Sequence, residues 1–280
     1  MKNVVRTLVF NDQVSLTLID TTALVQAGIK FHGMRKASAL VFGKAISAMA
    51  YMSACLKNEA GEISLSVKSD GQCGDIAVSG NQKLYLRGYI SDPFIETGDE
   101  AEVFGKNGAL TIIRDDGYRR PFVGSCAFPN IAGVDSAFEE YYAVSEQLPT
   151  RIATAVEFSE DGGCVFAGVA ALQLLPYADD EALRQTGECD LDGLLSDIRA
   201  LGTEGCLKKN FIYSQEALEK REAIYRCNCS REYLLGVLAS LGEAQMRQII
   251  QEDGAVKVHC HYCNTDYEFT DEDADGLFGK

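Results

Sequence analysis

The 280-residue sequence has little positive charge and very few histidines. It carries 26 lysine and arginine residues against 41 aspartate and glutamate residues, which leaves a formal net charge of −15. An acidic surface repels the phosphate backbone of nucleic acids, so the composition argues against a nucleic-acid partner. Of the three histidines, only His32 lies outside the C-terminal region. No pairing of a nucleophile with a histidine base is therefore recognisable in the rest of the chain.

Signals for export, membrane insertion and ATP binding are also missing. The segment from Met1 to Arg6 lacks the apolar core and the cleavage site of a secretory signal, which predicts a cytoplasmic protein with reduced thiols. The alanine-rich run from Ala39 to Leu56 contains Lys44 and is too weakly apolar to span a membrane, so we predict a buried helix. The segment Gly105-Lys106-Asn107 has neither the upstream glycine nor the Ser/Thr of a P-loop. The sequence therefore predicts no membrane partner and shows no ATP site.

Ten cysteines stand out against this background, and four of them form two close pairs near the C-terminus. Cys227 and Cys229 enclose a single residue, whereas Cys260 and Cys263 have the spacing of a zinc ribbon. A structural zinc ion takes four soft ligands in a tetrahedron. The two pairs therefore predict one Zn²⁺ ion per chain, with all four cysteines as metal ligands.

The spacing leaves two roles for this site open. One is a structural clip that holds a small domain together. The other is a redox switch, because zinc keeps its cysteines as thiolates, the form that peroxide or hypochlorous acid attacks. In a tetrahedron with Zn–S bonds near 2.3 Å the sulfur atoms lie only ~3.8 Å apart, so loss of the ion would leave candidates for disulfides side by side.

The other cysteines and the neighbouring histidines have simpler interpretations. His259 and His261 flank Cys260, but four cysteines already complete a tetrahedron, so we expect the histidines beside the site or at the surface. Four cysteines in or beside apolar runs are expected to be small, buried side chains of the core: Cys55, Cys73, Cys126 and Cys164. No role is assigned to Cys189 and Cys206.

The hydrophobic pattern predicts an α+β fold in three parts. The pattern of residues 1–176 predicts a core of antiparallel sheets with packed helices. Residues 177–225 are highly charged and interrupted by glycines, which predicts a helical, metastable linker. This linker is expected to lie on the first domain through Leu194, Leu195, Ile198 and Leu201. Residues 226–280 hold few large apolar groups, which predicts a small zinc-binding domain that unfolds when the metal is lost.

Several motifs, in the same order along the chain, resemble the heat-shock protein 33 family of redox-regulated chaperones. The C-terminal motifs are Tyr225-Arg226-Cys227-Asn228-Cys229-Ser230-Arg231-Glu232, Leu241-Gly242 and Cys260-His261-Tyr262-Cys263, with Tyr267 and Phe269 after them. Further matches are Ser145-Glu146-Gln147 before Pro149-Thr150, and Ala167-Gly168 leading to Gln173 and Pro176. The resemblance covers nearly the whole chain.

The resemblance implies a holdase that works without ATP and protects unfolding client proteins from aggregation under oxidative stress. The reduced protein would hold zinc and be inactive. Oxidation would pair Cys227 with Cys229 and Cys260 with Cys263, release the metal, and unfold the zinc domain and the linker. Apolar surface would then be exposed to clients, and active family members of this type form homodimers. On this interpretation the protein is not an enzyme.

Two other functions remain as alternatives to the holdase. A thiol–disulfide oxidoreductase would use Cys260 and Cys263 catalytically, and it would reduce insulin with turnover. A zinc-dependent nucleic-acid-binding module would show steeply salt-dependent binding, and the acidic charge makes it the last choice.

Overall fold

The computed structural model describes residues 2–279, and its contacts divide the chain into two units that meet between Arg226 and Cys227. Helices and antiparallel strands are mixed, which confirms the predicted α+β fold class. The first half of the first unit consists of β1 (Val4–Val9), β2 (Val14–Asp20), α1 (Thr22–His32), α2 (Lys36–Ala54), β3 (Glu62–Ser69), β4 (Ile76–Asn81), β5 (Tyr85–Ile90) and α3 (Glu100–Phe104). Its second half consists of β6 (Gly108–Asp115), β7 (Phe122–Phe128), α4 (Val134–Tyr141), β8 (Thr150–Phe158), β9 (Cys164–Leu174), α5 (Asp180–Glu188), α6 (Leu191–Asn210), β10 (Glu219–Arg221) and β11 (Ile224–Tyr225).

Two sheets form the frame of the first unit. One sheet has the strand order β10-β1-β2-β9-β8, and the other has the order β11-β5-β4-β3-β6-β7. All pairs are antiparallel except β11 with β5, which is parallel. Strands β3, β4 and β5 alternate buried and partly buried side chains, as expected for sheets with one face on the core.

Helix α2 is the centre of the main core. It is the one described helix whose length and composition would suit a membrane, and 89% of its apolar window is buried inside the protein. A stripe of small residues, Ala39, Gly43 and Ser47, allows a close approach, because a Cβ atom at Gly43 would lie 2.9 Å from Val156 of β8. Ser47 in the same stripe hydrogen-bonds Thr21 at 2.6 Å. The expectation of a buried helix is therefore confirmed.

Residues 177–225 pack with the first unit, and they are helical only as far as Asn210. Leu194, Leu195 and Ile198 of α6 are buried in an apolar cluster with β1, β2 and β9. Leu201 was expected in this contact, but it is 52% exposed. The next residue, Gly202, has a φ of 73° and interrupts the helix, which turns Leu201 away from the sheet.

The helical prediction for residues 211–225 is wrong. Glu219 to Arg221 pair with β1, and Ile224 and Tyr225 pair with β5. Both strands are very short, and edge partners supplied by distant parts of the chain leave little pattern in the local sequence.

The second unit, from Cys227 on, is small and has its own core. Its elements are α7 (Arg231–Ala239), α8 (Glu243–Asp253), β12 (Val256–Cys260), β13 (Thr265–Phe269) and α9 (Asp271–Phe278). Six side chains form the buried centre of this core: Leu238, Met246, Ile250, Val256, Phe269 and Ala274. So small a core contributes little stability by itself.

Candidate metal centre

The four paired cysteines lie on two neighbouring segments of the second unit. Cys227 and Cys229 directly precede α7, whose first turn is capped by Ser230 through its hydroxyl and the backbone N–H of Tyr233. Cys260 is the last residue of β12, and Cys263 lies in the turn that leads to β13.

The turn between β12 and β13 brings Cys260 and Cys263 together. The backbone N–H groups of Cys263 and Asn264 both point to the carbonyl of Cys260, at 3.3 and 2.8 Å. Asn264 has a φ of 53°, a left-handed conformation that asparagine tolerates better than most residues. The turn therefore presents two sulfur atoms on one side of the hairpin.

The four sulfur atoms meet in one compact group. All of them lie within 4.8 Å of one another. The Cys227 and Cys229 sulfurs are 3.2 Å apart, Cys227 and Cys260 are 3.6 Å apart, and Cys229 and Cys263 are 3.2 Å apart. The structure thus brings together all four residues that the sequence predicts as ligands.

Two hydroxyl groups of β13 complete the surroundings of the sulfurs. The Tyr267 hydroxyl lies 3.3 Å from the Cys229 sulfur, and the Cys263 sulfur lies 3.3 Å from the Thr265 hydroxyl. Neither contact was predictable from the residue types, because tyrosine and threonine are ordinary strand residues. Only the pairing of Val258 with Tyr267 across the hairpin could have indicated the first contact.

Burial and hydrogen bonding separate the acidities of these thiols. Burial opposes ionisation of Cys229, but hydrogen bonds from Tyr267 and from the neighbouring thiols lower its pKa to about 7. Burial raises the pKa of Cys263 to about 11, although Thr265 acts in the opposite direction. Cys229 therefore becomes a thiolate more readily than Cys263.

The other cysteines and the histidines stand apart from this group. Cys73, Cys126 and Cys164 are buried as predicted, and Cys55 is half-buried. Burial raises the pKa of Cys73 to about 12, which makes its thiol unreactive. The remaining pair, Cys189 and Cys206, belongs to the apolar cluster under α6.

Neither histidine belongs to the four-sulfur group. The His259 ring lies 2.7 Å from the carboxylate of Asp266, and it contacts His261 edge to face. This agrees with the expectation that the histidines lie beside the site.

The donor set fits a metal ion. Among residues 2–279, these four cysteines are the group of possible ligands close enough to hold one ion. Four thiolates without a carboxylate or a water position are typical of structural sites for soft metals, with sulfur atoms about 3.8 Å apart. The observed separations of 3.2, 3.6 and 3.2 Å are somewhat shorter than that value.

A four-cysteine centre on a small unit that follows an α+β unit along the chain defines a class of proteins that could hold a metal through thiolates. The comparison with family models narrows this class, because the model of the Hsp33 protein family matches residues 2–270. The chain belongs to the Hsp33 family, as its motifs predicted.

Known relatives agree with this assignment over their full length. The chain is 30% identical to a protein of Bacillus mycoides (strain KBAB4) named 33 kDa chaperonin, over 99% of this chain and 98% of that protein. It is 31% identical to the 33 kDa chaperonin of Bacillus cytotoxicus, over 96% of each. The crystal structure of the 33 kDa chaperonin of Thermotoga maritima has the same fold, with a TM-score of 0.81 at 22% identity, over 99% of this chain.

Proposed function

We propose that this chaperone of the Hsp33 family is a cytoplasmic holdase that oxidation activates and that uses no ATP. The observation that carries the proposal is the group of four sulfur atoms within 4.8 Å of one another. Such a group serves two states of the chain. As thiolates the cysteines hold one Zn²⁺ ion, and as disulfides they hold none.

The proposed oxidation pairs Cys227 with Cys229 and Cys260 with Cys263. Each disulfide forms by loss of two electrons from two thiolates, and one molecule of hydrogen peroxide accepts them, takes two protons from solvent and becomes two molecules of water. Two equivalents of peroxide therefore convert the whole site. The 3.2 Å separation of the Cys227 and Cys229 sulfurs supports the first pairing.

The pairing of Cys229 with Cys263 has an equally short separation of 3.2 Å. A disulfide within each cysteine pair leaves the segment before α7 unlinked to the β12–β13 hairpin. A Cys229–Cys263 bond would instead connect the two covalently. Only the first arrangement frees the second unit to unfold. The proposed function therefore requires the pairing within each segment.

Loss of the metal unfolds the second unit because its apolar core is small. Structural zinc contributes about 10–16 kcal/mol of apparent binding energy in small domains, which exceeds the stability of many of them. Residues 177–225 are proposed to detach as well, as a metastable linker. Their departure would expose the apolar sheet face that now packs against α6, including Leu16, Leu18 and Leu172.

Exposed apolar surface of this kind binds unfolding client proteins by the hydrophobic effect, and no chemical step is needed. We propose that the protein is not an enzyme, and that the active form is a homodimer. Nucleic acids are not proposed as partners, because the net charge is −15. Membranes are not proposed either, because the apolar helix α2 is buried in the core.

Disulfide mapping tests the proposed switch. The reduced, zinc-loaded protein is treated with peroxide, the remaining thiols are alkylated, and peptides are identified by mass spectrometry. We expect Cys227–Cys229 and Cys260–Cys263 bonds while Cys73 and Cys206 stay alkylatable after denaturation. A predominant Cys229–Cys263 bond would contradict the proposal, and so would turnover in insulin reduction, which indicates an oxidoreductase.

A further inference from the structure

A cavity in the first unit lies far along the chain from the cysteine centre, and its walls combine apolar and cationic groups. Its volume is about 450 Å³, within the range of small-molecule sites. The apolar part of the wall includes Met52, Leu56, Leu148 and Leu175. Three cationic side chains also line it: Arg6, Lys57 and Arg114.

Arg6 is the least satisfied of these cations. Its contact with Glu219 is a loose ion pair of 3.8 Å, and its Nε atom is buried without a hydrogen-bond acceptor within residues 2–279. A buried donor without an acceptor is costly, and such donors are rare in folded proteins. The Arg6 side chain is 26% exposed, and it is this accessible part, not the buried Nε atom, that an acceptor in the cavity would meet.

Arg221 reinforces the positive charge beside Arg6. The pairing of β1 with β10 sets Arg6 opposite Glu219 and Val4 opposite Arg221, so both arginines share one face of the sheet. The Nε atom of Arg221 is also buried without an acceptor in the described part of the chain. Glu219 contacts both guanidinium groups, at 3.8 and 3.4 Å, and is half-exposed. One loosely held carboxylate therefore serves two partly buried cations, although Arg221 also donates hydrogen bonds to the backbone carbonyls of Gln82 and Ala54.

The acidic residues of the cavity wall are engaged elsewhere. Glu146 accepts hydrogen bonds from Arg114 at 2.9 Å and from the Tyr141 hydroxyl at 2.7 Å. Asp115 and Asp116 accept backbone N–H groups of the turn at residues 117–119. These carboxylates are satisfied within the protein, whereas the Nε groups of Arg6 and Arg221 are not.

The backbone beside the cavity is unusual as well. The chain from Tyr142 to Glu146 forms a π-helical turn after α4, and Gln147 follows with a φ of 54°. Both Tyr142 and Glu146 line the cavity. Turns of this kind inside helices occur frequently at functional sites.

We propose that this cavity binds a small organic anion, with its carboxylate or phosphate head on Arg6 and its apolar body against Met52, Leu56 and Leu148. The head would accept from the accessible part of the Arg6 guanidinium, which Glu219 contacts at only 3.8 Å, and charge-assisted bonds of this type are the strong ones. The apolar walls exclude a fully hydrated ion as the best ligand. Binding is a property of the first unit and does not require oxidation of the cysteines.

Calorimetric titration of the full-length, reduced, zinc-loaded protein tests this site with three probes. Octanoate carries the head and an apolar body, acetate carries the carboxylate alone, and inorganic phosphate carries the phosphate head alone. We expect saturable binding of about one octanoate per chain, and at least tenfold weaker binding of acetate and phosphate. If acetate or phosphate bound as tightly as octanoate, the apolar body would contribute nothing, and the proposal of a small organic anion would be wrong.

Two variants and one control locate the binding. Arg6→Gln removes the head-group donor and is expected to weaken octanoate binding about tenfold to hundredfold. Leu56→Trp fills the cavity and is expected to abolish binding while the fold, checked by circular dichroism, is kept. The control is Arg35→Gln, which removes the same charge from an exposed ion pair with Glu96 and is expected to leave the affinity unchanged.

Cys55 gives a second readout of binding, because it lines the cavity. Octanoate is expected to slow alkylation of Cys55 in the folded protein, measured by peptide mass mapping, and to leave the alkylation of Cys189 unchanged. Equal octanoate affinity in the Arg6→Gln and Leu56→Trp variants and in the control would overturn the proposal. Because all measurements use reduced protein, this failure is distinct from a failure of the chaperone switch.

Discussion

At the scale of single residues, the Tyr267 hydroxyl is the group outside the four cysteines that most directly affects the centre. It lies 3.3 Å from the Cys229 sulfur and 3.5 Å from the Cys229 carbonyl oxygen. A hydrogen bond to a coordinating thiolate fixes its orientation and shares its negative charge. Tyr267 therefore helps to hold Cys229 in the position that a metal requires.

Replacing Tyr267 by phenylalanine tests this contribution. We expect the variant to retain one zinc ion per chain but to bind it about tenfold more weakly, as is typical for loss of a group that supports a ligand. Competition with a chromophoric chelator measures the affinity. Tyr233→Phe is the matched control, because Tyr233 is 57% exposed on α7. Equal affinities in the two variants would show that the Tyr267 hydroxyl does not support the site.

The predictability of the site also differs from residue to residue. The four cysteines were predictable, because two short spacings and an all-thiol set point to one kind of metal site. Tyr267 and Thr265 were not, because their importance depends on the register of β12 and β13. The resemblance to the family matched the cysteine motifs but assigned no role to these two hydroxyl groups.

At the scale of elements, α5 is attached to the first unit by few contacts. Its buried side chains are Ala182 and Thr186. Arg151 of β8 donates hydrogen bonds through one nitrogen to three carbonyls at the end of this helix, those of Thr186, Gly187 and Cys189, at 2.6, 3.0 and 2.9 Å. A cation at a helix C-terminus satisfies carbonyls that lack partners and opposes the helix dipole.

The variant Arg151→Met is expected to release the end of α5. Loss of the charged hydrogen bonds costs about 1.5–3 kcal/mol, so amide exchange in α5 should become faster by roughly tenfold to hundredfold in the reduced protein. Hydrogen exchange with mass spectrometry measures this. Arg199→Met removes an exposed ion pair with Glu157 and should change exchange little. Unchanged exchange in α5 of Arg151→Met would contradict the attachment.

Helix α6 offers a matched pair of apolar residues. Ile198 is 1% exposed, whereas Leu201, three residues later, is 52% exposed. We expect Ile198→Ala to lower the free energy of unfolding by about 2–5 kcal/mol, and Leu201→Ala by less than about 0.5 kcal/mol. Urea denaturation of the reduced protein measures both. Similar losses in the two variants would show that α6 does not dock through the Ile198 face.

Residues 177–225 show which features of secondary structure could not be predicted from the sequence. The helical periodicity of residues 177–210 was visible, and the contacts of Leu194, Leu195 and Ile198 followed from it. The exposure of Leu201 depends on the backbone of Gly202, and glycine is compatible with both a helix and a break. Strands β10 and β11 have two or three residues each, too few for any period to show.

At the scale of the whole molecule, the two units differ greatly in the size of their cores. The first unit has two large apolar clusters around its sheets, whereas the second has one small cluster beside the cysteine centre. Metal binding is therefore expected to contribute most of the stability of the second unit and little of that of the first. This imbalance is what would let one chemical event unfold part of the chain and leave the rest folded.

Removal of the metal from the reduced protein tests this imbalance. A strong chelator under reducing conditions should lower the helical circular dichroism signal of the protein. It should also abolish the exchange protection of α7 and α8, while α2 and β3 keep their protection. Hydrogen exchange resolved by peptide measures both units in one sample. Cooperative loss of protection in both units would show that they unfold together, and unchanged protection in α7 would show that the second unit is stable without metal.

The most direct test of the central claim follows metal release and chaperone activity in the same sample. A chromophoric chelator reports zinc, and light scattering reports aggregation of a heat-unfolded client, before and after addition of peroxide or hypochlorous acid. We predict release of about one zinc ion per chain and suppression of aggregation only after release. Equal suppression by the reduced, zinc-loaded protein would contradict the account, as would oxidation that leaves the zinc bound.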